Sequence, residues 1–265
     1  MKTTIGFVLL ISLGLFYLPS QAQILNIDRS DTSDYSAKAK FDMHLSAGLE
    51  IDKQRTTLYD ATNKVEMMLQ KKKELLICAA SYRFTDNGDD DILNTGYFHL
   101  RFRHHYKDKF QPEAFLQYQW DSERGLIYRY LGGANVRYNF WKGARWEINA
   151  GMGLMYEAEE WDYAAVDSAK LPVNTAPVTN KLIKFNSYVR LDWKMSDNSD
   201  IAFNVFLQTP LTGFHPRVAP GVQWNVAFSK HFSFAIAFSG IYDQQPVVPI
   251  DKFYYSLSNS ILFRL

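Results

Sequence analysis

Apolar and polar residues alternate along most of the chain from Phe41 onward. The alternation is clearest across residues 111–157, where three runs read QPEAFLQYQWD, LIYRYLGGANVRYNF and RWEINAGMGLMYE between short polar turns. Successive side chains of a β-strand point to opposite faces, so each run has an apolar, aromatic face and a face bearing Arg, Glu and Asn. The pattern predicts three antiparallel strands joined by tight turns.

The same alternation recurs in about twelve runs, and no segment between them has a convincing helical pattern. Numbered from the first run, the even connections are short and span residues 70–73, 107–110, 141–144, 195–200 and 229–231. The long connections are all odd and span residues 85–95, 157–181, 209–220 and 243–251. Because up-and-down strands alternate in direction, all the long loops then lie at one end, as in outer-membrane barrels.

The sequence therefore predicts an all-β fold, an antiparallel up-and-down transmembrane β-barrel of about 12 strands. Its apolar faces would point to lipid and its charged faces to the lumen, and closure would leave no unpaired strand edge in the membrane. A secreted soluble β-sandwich is the alternative. A sandwich requires no parity in loop length, and it gives no reason for aromatic faces to lie opposite Arg-rich ones.

The N-terminus has the features of a signal peptide. Lys2 is followed by an apolar stretch over residues 5–18, and Ser20 and Ala22 are small residues at the positions that a signal peptidase reads. We predict a signal peptide at 1–22, cleaved after Ala22, then a flexible periplasmic lead-in at 23–39 and the barrel at 40–265. An uncleaved membrane anchor is the less favoured alternative.

Composition excludes several classes of function. The formal net charge of +1 gives no case for nucleic acid as a partner, and aromatic residues make up 15% of the chain. The mean hydropathy of −0.25 does not argue against a membrane barrel, because the apolar and polar residues of alternating strands average to near neutrality. Cys78 is the single cysteine of the sequence, so no intramolecular disulfide stabilises the fold.

The predicted lumen face is the first candidate site. It collects bases and acids on alternating positions, namely Arg101, Arg103, Arg129, Arg137, Arg145, Lys184 and Arg190 with Glu113, Glu147 and Asp192. One interpretation is an ion-pair network that fills a narrow barrel, because buried charges need partners. The other is a basic constriction that passes small anionic solutes. The interleaving of acids with bases favours the structural interpretation.

Two further classes of function have weaker signals. The sequence has no Gly-x-Ser-x-Gly elbow, and its histidines form no readable catalytic pattern, so we expect no enzyme and no lipid hydrolase.

Loops 157–181 and 209–220 are long enough for surface contacts, with Trp161, Tyr163 and Phe214 expected to be exposed. The Asp-rich loop 85–95 lacks the ligand spacing of an EF-hand, so we expect neither a metal site nor a cofactor.

The run FQPEAFLQYQWDSERGLIYRYLGGANVRY resembles the barrel family typified by the salt-induced outer membrane protein, a domain of unknown function in diderm bacteria. The strand GARWEINAGMGLMYE is similar to that family as well, and the resemblance covers most of residues 41–265. It implies this fold and an outer-membrane location. For such a barrel we expect outer-membrane lipid and, during biogenesis, the barrel-assembly machinery as partners. It implies no settled activity. The chain ends Leu-Phe-Arg-Leu, whereas many barrels end in an aromatic residue.

Overall fold

The computed structural model describes residues 39–53, 57–86 and 92–264. These residues form twelve strands, which are β1 (Lys40–Lys53), β2 (Thr57–Lys71), β3 (Glu74–Asp86), β4 (Ile92–His104), β5 (Phe110–Asp121), β6 (Leu126–Lys142), β7 (Trp146–Trp161), β8 (Val178–Ser196), β9 (Ser199–Pro210), β10 (Arg217–Ala227), β11 (Phe232–Asp243) and β12 (Phe253–Arg264). The predicted signal peptide and most of the lead-in lie outside the described residues.

Each strand pairs antiparallel with its neighbours in sequence, and β1 pairs with β12 to close the barrel. The prediction of an all-β, up-and-down barrel of about 12 strands is therefore confirmed. The closing register is short and runs from His44 opposite Arg264 to Ala47 opposite Ile261. By contrast, β1 and β2 pair along nearly the full length of both strands.

Strand alternation separates the two faces of the barrel wall. Large apolar side chains cover the outside, including Phe102, Leu116, Tyr130 and Met152, which are exposed. Trp146 and Trp193 stack on the same outer surface, with ring centroids 4.7 Å apart. Most polar side chains of the opposite phase are buried inside. An apolar exterior around a polar interior is the arrangement that lipid requires of a spanning barrel.

Two predicted loops are shorter than the sequence suggested, and the bounds are corrected accordingly. β7 continues to Trp161 and β8 begins at Val178, so both ends of the loop predicted at 157–181 belong to strands and the loop spans residues 162–177. Likewise, β9 continues to Pro210 and β10 begins at Arg217, which shortens the loop predicted at 209–220. Inward-facing strand ends are as polar as loops, which is why the pattern misassigned them.

The loop predicted at 85–95 is corrected in the same way, because β3 reaches Asp86 and β4 begins at Ile92. Among the described residues, no helix has the length and apolar character needed to cross a membrane.

An apolar cluster lies at the end of the barrel that carries the long loops. It consists of buried residues from the ends of β6 and β7 and from the loops after β7 and β11, namely Leu126, Trp161, Val166, Val248 and Ile250. Tyr163 and Tyr254 pack against it. We call this cluster the cap. It corrects the expectation for Trp161, which is only 3% exposed, whereas Phe214 is exposed as expected.

Candidate functional site

Glu157 on β7 is the centre of a buried charge network inside the barrel. Its carboxylate accepts hydrogen bonds from three cations on three different strands. Arg217 donates from Nη1 at 3.1 Å, Arg129 donates from Nε at 2.6 Å, and Lys184 contacts the other carboxylate oxygen. All four side chains are almost fully buried. A carboxylate with three cationic donors is held in one position and one orientation.

The network extends from Glu157 across the lumen. Arg217 also donates to Asp243 at 2.8 Å and to Glu159 at 3.4 Å, and Arg129 reaches Gln208 on β9 at 3.2 Å. We call this set the long-loop belt, and its charged members are Arg129, Glu157, Glu159, Lys184, Arg217 and Asp243. Three cations face three carboxylates, so the belt is formally neutral. Contacts between strands that are not neighbours show that side chains fill this part of the lumen.

A second set of charges lies nearer the short turns. Glu113 on β5 accepts from Tyr188 at 2.7 Å, from Asn135 at 3.1 Å and from Arg103 at 3.3 Å. We call this set the short-turn belt, and its charged members are Arg101, Arg103, Glu113, Arg137, Glu147, Arg190 and Asp192. Four cations face three carboxylates, so this belt carries a formal charge of +1.

Pairs within the short-turn belt link neighbouring positions of the wall. Arg137 lies 3.8 Å from Glu147, and its Nε donates to Asn149 at 3.2 Å. Arg190 contacts Asp192 on the same strand, with Nε 2.7 Å from the carboxylate. The acids and bases are thus interleaved, and each of these guanidinium groups has an acceptor.

Nine of the ten residues predicted for the lumen lie inside the barrel, and Arg145 does not. Arg145 is exposed in the turn between β6 and β7, because β7 begins one residue later at Trp146. The alternation was extended one position too far, so the prediction for Arg145 is corrected. Sequence reasoning missed Glu157, Glu159, Arg217 and Asp243, because it placed them in loops or at loop edges.

The lumen is not filled evenly around its circumference. The inward faces of β10, β11 and β12 carry small residues, including Gly221, Ala237, Ser256, Ser258 and Ser260. Ser258 is exposed and Ser256 is half-buried, so solvent reaches this wall from inside the barrel. We call this side, which continues across the barrel closure onto the inward faces of β1 and β2, the hollow side. The opposite wall, on β4 to β8, carries most charged residues of the buried belts, and Arg217 and Asp243 join them at the long-loop ends of β10 and β11.

Lys64 and Glu66 on β2 belong to the hollow side. They form an ion pair of 2.6 Å, and the lysine side chain keeps 31% of its exposure. A charge pair that remains hydrated differs from the buried pairs of the belts. The inner face of the barrel therefore changes from dry to wet around its circumference.

Arg124 fastens the cap to the barrel wall. It lies in a short 3-10 helix, Ser122–Arg124, with its Cζ 4.6 Å from the ring of Tyr254 and 5.5 Å from that of Trp161. Asp121 is its nearest carboxylate, at 4.0 Å. Burial lowers the pKa of Arg124 from its usual value, although Asp121 opposes the shift. A guanidinium between two aromatic rings ties two strands and a turn together.

Two of the histidines, which we expected to lie outside any catalytic pattern, pair with carboxylates near a short turn. His104 contacts Glu74 at 2.7 Å, and His105 contacts Asp108 at 2.5 Å. Within residues 39–53, 57–86 and 92–264, no group of three or more His, Cys, Asp or Glu side chains could hold a metal ion.

Comparisons with known proteins bear on the fold. The family model described as "Protein of unknown function, DUF481" matches residues 30–253. No curated protein matches the chain. The crystal structure of the COG4313 outer membrane channel from Pseudomonas putida F1 is similar, with a TM-score of 0.50 and 8% identity, and the match covers 90% of this chain and 100% of that one.

Two other solved structures resemble the chain more distantly. A refined porin gives a TM-score of 0.33 at 8% identity, covering 86% of this chain and 100% of the porin. The translocator domain of the autotransporter NalP from Neisseria meningitidis gives 0.34 at 10% identity, covering 84% and 87%.

Proposed function

The chain belongs to the DUF481 family of proteins of unknown function, and we propose that it forms a narrow channel for small solutes in the outer membrane of a diderm bacterium. The apolar exterior supports the membrane location, because every strand exposes aromatic or aliphatic side chains, and soluble monomers rarely expose so large an apolar surface. The barrel fold shared with an outer membrane channel is consistent with it. Export would use the signal peptide that ends at Ala22.

The observation that carries the channel proposal is the uneven filling of the lumen. Most charged residues of the two belts lie on β4 to β8, and Arg217 and Asp243 join them only at the long-loop end of β10 and β11. Small side chains line much of the rest of β10 to β12. A barrel of twelve strands lies between small filled barrels and open porins in diameter. One hollow side therefore leaves room for a narrow water path and excludes large solutes.

The belts have a structural role in this proposal. They hold the wall of the path in a fixed shape, because buried ion pairs with several hydrogen bonds per group restrict side-chain movement. In outer-membrane barrels the long loops face the outside, which would place the cap at the external mouth. Solutes would then enter when the cap loosens.

Planar-bilayer recording of the purified barrel tests this function. We expect discrete conductance steps, and a reduced step size when the hollow side is filled by a large side chain. Heat-dependent mobility on gels establishes that the protein used is folded. Folded barrel that gives no steps would reject the channel and leave the belts with a purely structural role.

A surface-interaction role is the second candidate, and exposed apolar residues at the loop end favour it. Leu211 and Phe214, in the loop between β9 and β10, are 57% and 70% exposed. If external protease removes this loop from intact cells, the loop is displayed on the cell surface.

We also propose that the chain belongs with the salt-induced outer membrane protein within this family. Measuring its expression at raised salt would test that proposal.

A further inference from the structure

Basic side chains lie at each short turn of the described barrel. The turns that follow β2, β4, β6, β8 and β10, taken with the three strand residues on either side, hold nine lysines and arginines outside the two belts. We call this set the basic ring, and its members are Lys71, Lys72, Lys73, Lys107, Lys109, Lys142, Arg145, Lys194 and Lys230. Eight of them are exposed, and Lys107 is half-buried.

The acidic residues of these turns do not balance the basic ring. The same segments hold four carboxylates outside the belts, which are those of Glu74, Asp108, Asp197 and Asp200. With histidine counted as neutral, the short-turn end therefore has an excess of five positive charges.

The long-loop end of the barrel has no comparable excess. Among the described residues, its exposed lysines and arginines are Lys170, Lys181 and Lys252. Asp167 and Asp251 are exposed carboxylates in the same loops, and Asp251 lies 3.9 Å from the amine of Lys170. Positive surface charge is therefore concentrated at one end of the barrel.

Aromatic side chains place the basic ring at the depth of the lipid headgroups. Phe110, Phe140 and Trp146 lie beside the short turns on the outer surface, and they are 64%, 61% and 40% exposed. Aromatic girdles of outer-membrane barrels lie at the membrane–water interfaces. Lys109 and Arg145 immediately precede two of these rings in the sequence, so their charges lie beside the girdle, where the phosphate groups of a bilayer are.

The distribution of the basic ring favours a membrane surface over a protein as its partner. Successive short turns of an up-and-down barrel are two strands apart, so the five turns are spread around the circumference. A protein partner would contact one side of the barrel end, whereas the headgroups of a bilayer surround it. Lysine is a compact point charge on a flexible stem, and it pairs with phosphate without a fixed geometry.

We propose that the basic ring binds the phosphate groups of anionic phospholipids in the leaflet that faces the periplasm. The short turns of outer-membrane barrels face the periplasm, which assigns the ring to that leaflet. One base near a membrane surface favours an anionic lipid about fivefold. The inference rests on the membrane location of the barrel and not on conduction.

Spin-labelled lipids test this preference in the reconstituted barrel. Phosphatidylcholine vesicles that contain the folded protein receive a trace of spin-labelled phosphatidylglycerol or phosphatidylcholine. Electron paramagnetic resonance then gives the fraction of each label that is held at the protein surface. Phosphatidylglycerol should associate about twofold or more tightly on average, because only lipids at the ring gain from a base. In about 0.5 M sodium chloride the ratio of association constants should fall toward one.

A triple variant with Lys73→Gln, Lys142→Gln and Lys230→Gln removes one base from each of three short turns. All three side chains are exposed, so the variant should fold, which heat-dependent mobility on gels checks. Its preference for phosphatidylglycerol over phosphatidylcholine should fall by about a third or more.

The matched control combines Lys170→Gln, Lys181→Gln and Lys252→Gln. It removes the same charge from exposed positions at the long-loop end, and its lipid preference should equal that of the parent protein. Equal association of the two labels with the parent protein would overturn the proposal, and an acidic soluble protein would then be the better partner for the ring. Equal losses in the two triple variants would overturn it too, because the lipid would then respond to net charge alone. None of these results depends on conductance.

Discussion

Arg217 and Glu157 meet inside the barrel although two strands, β8 and β9, separate them in the wall. Nη1 of Arg217 lies 3.1 Å from Oε2 of Glu157, and both residues are buried. The contact follows a chord of the barrel, so it ties together parts of the wall that backbone hydrogen bonds do not connect. Arg129 makes a similar link, from β6 to Gln208 on β9.

Glu157→Gln should destabilise the barrel strongly. The substitution keeps the shape of the side chain but leaves Arg129, Lys184 and Arg217 with one negative charge fewer. Breaking a buried ion pair by removing one partner costs about 3–5 kcal/mol. The free energy of unfolding in urea, followed by tryptophan fluorescence in lipid vesicles, measures the loss.

Asp197→Asn is the control for that change. It makes the same carboxylate-to-amide replacement at a fully exposed turn, where Asp197 pairs with Lys194 at 3.0 Å. Exposed pairs contribute little, so the free energy of unfolding should stay close to that of the parent protein. Equal effects of the two substitutions would show that the long-loop belt does not stabilise the fold.

Gly153→Ala should destabilise the barrel by about 1–3 kcal/mol, because the position has no room for a methyl group. A Cβ there would collide with the carbonyl oxygen of Ala134 and lie 2.6 Å from Oδ1 of Asn135. Asn135 donates to Glu113, so the collision also disturbs the short-turn belt. Urea unfolding again gives the magnitude.

Gly48→Ala is the matched substitution on the hollow side. Nothing lies within 4 Å of the added Cβ, so stability should stay within about 1 kcal/mol of the parent protein. A loss at Gly48 as large as that at Gly153 would contradict the difference in packing between the two sides of the lumen.

The alternating pattern was sufficient to predict the twelve strands, because period two is a local property of each strand. It also identified Glu113, Arg129 and Arg137 as inward-facing. It missed Glu157 and Arg217, because an inward-facing strand end is as polar as a loop. The contact between those two residues depends on how the barrel closes, and pairing between neighbouring strands does not determine contacts across a lumen.

The same limit explains the errors at Arg145 and Trp161. The alternating pattern does not show at which residue a strand ends. It therefore predicts an inward-facing Arg145, although this residue lies one position before β7 begins. Trp161 was assigned to an exposed loop. The cap that buries it forms from loops far apart in sequence, and their packing has no periodic signal.

Arg124→Ala should loosen the cap. The substitution removes the guanidinium that contacts the rings of Trp161 and Tyr254, and such contacts contribute about 0.5–2 kcal/mol when desolvated. Loop 162–177 should then open more often. Trypsin cleavage after the exposed Lys170, followed by mass spectrometry of the folded barrel, should become several-fold faster.

Arg145→Ala controls for the loss of a positive charge and of a trypsin site, because Arg145 is exposed in a turn at the opposite end of the barrel. Its cleavage rate at Lys170 should equal that of the parent protein. If trypsin cleaves Arg124→Ala at Lys170 no faster than the parent protein, Arg124 does not hold the cap in place.

Ser258→Trp should narrow the water path on the hollow side. Ser258 lies on β12 opposite Ala237 of β11, and both side chains face the lumen, so an indole there projects into open space. We expect the single-channel conductance in planar bilayers to fall by about half or more, because a constriction in a narrow pore dominates its resistance. Stability should change little, since no packed neighbour is displaced.

Leu257→Trp places the same side chain on the lipid-facing surface one residue away, where Leu257 is 49% exposed. Its conductance should match that of the parent protein, because an indole in lipid leaves the lumen unaltered. If Ser258→Trp conducts as well as Leu257→Trp, the path does not run along the hollow side. A conducting route through the belts would be the remaining possibility, and Glu157→Gln would then change the step size.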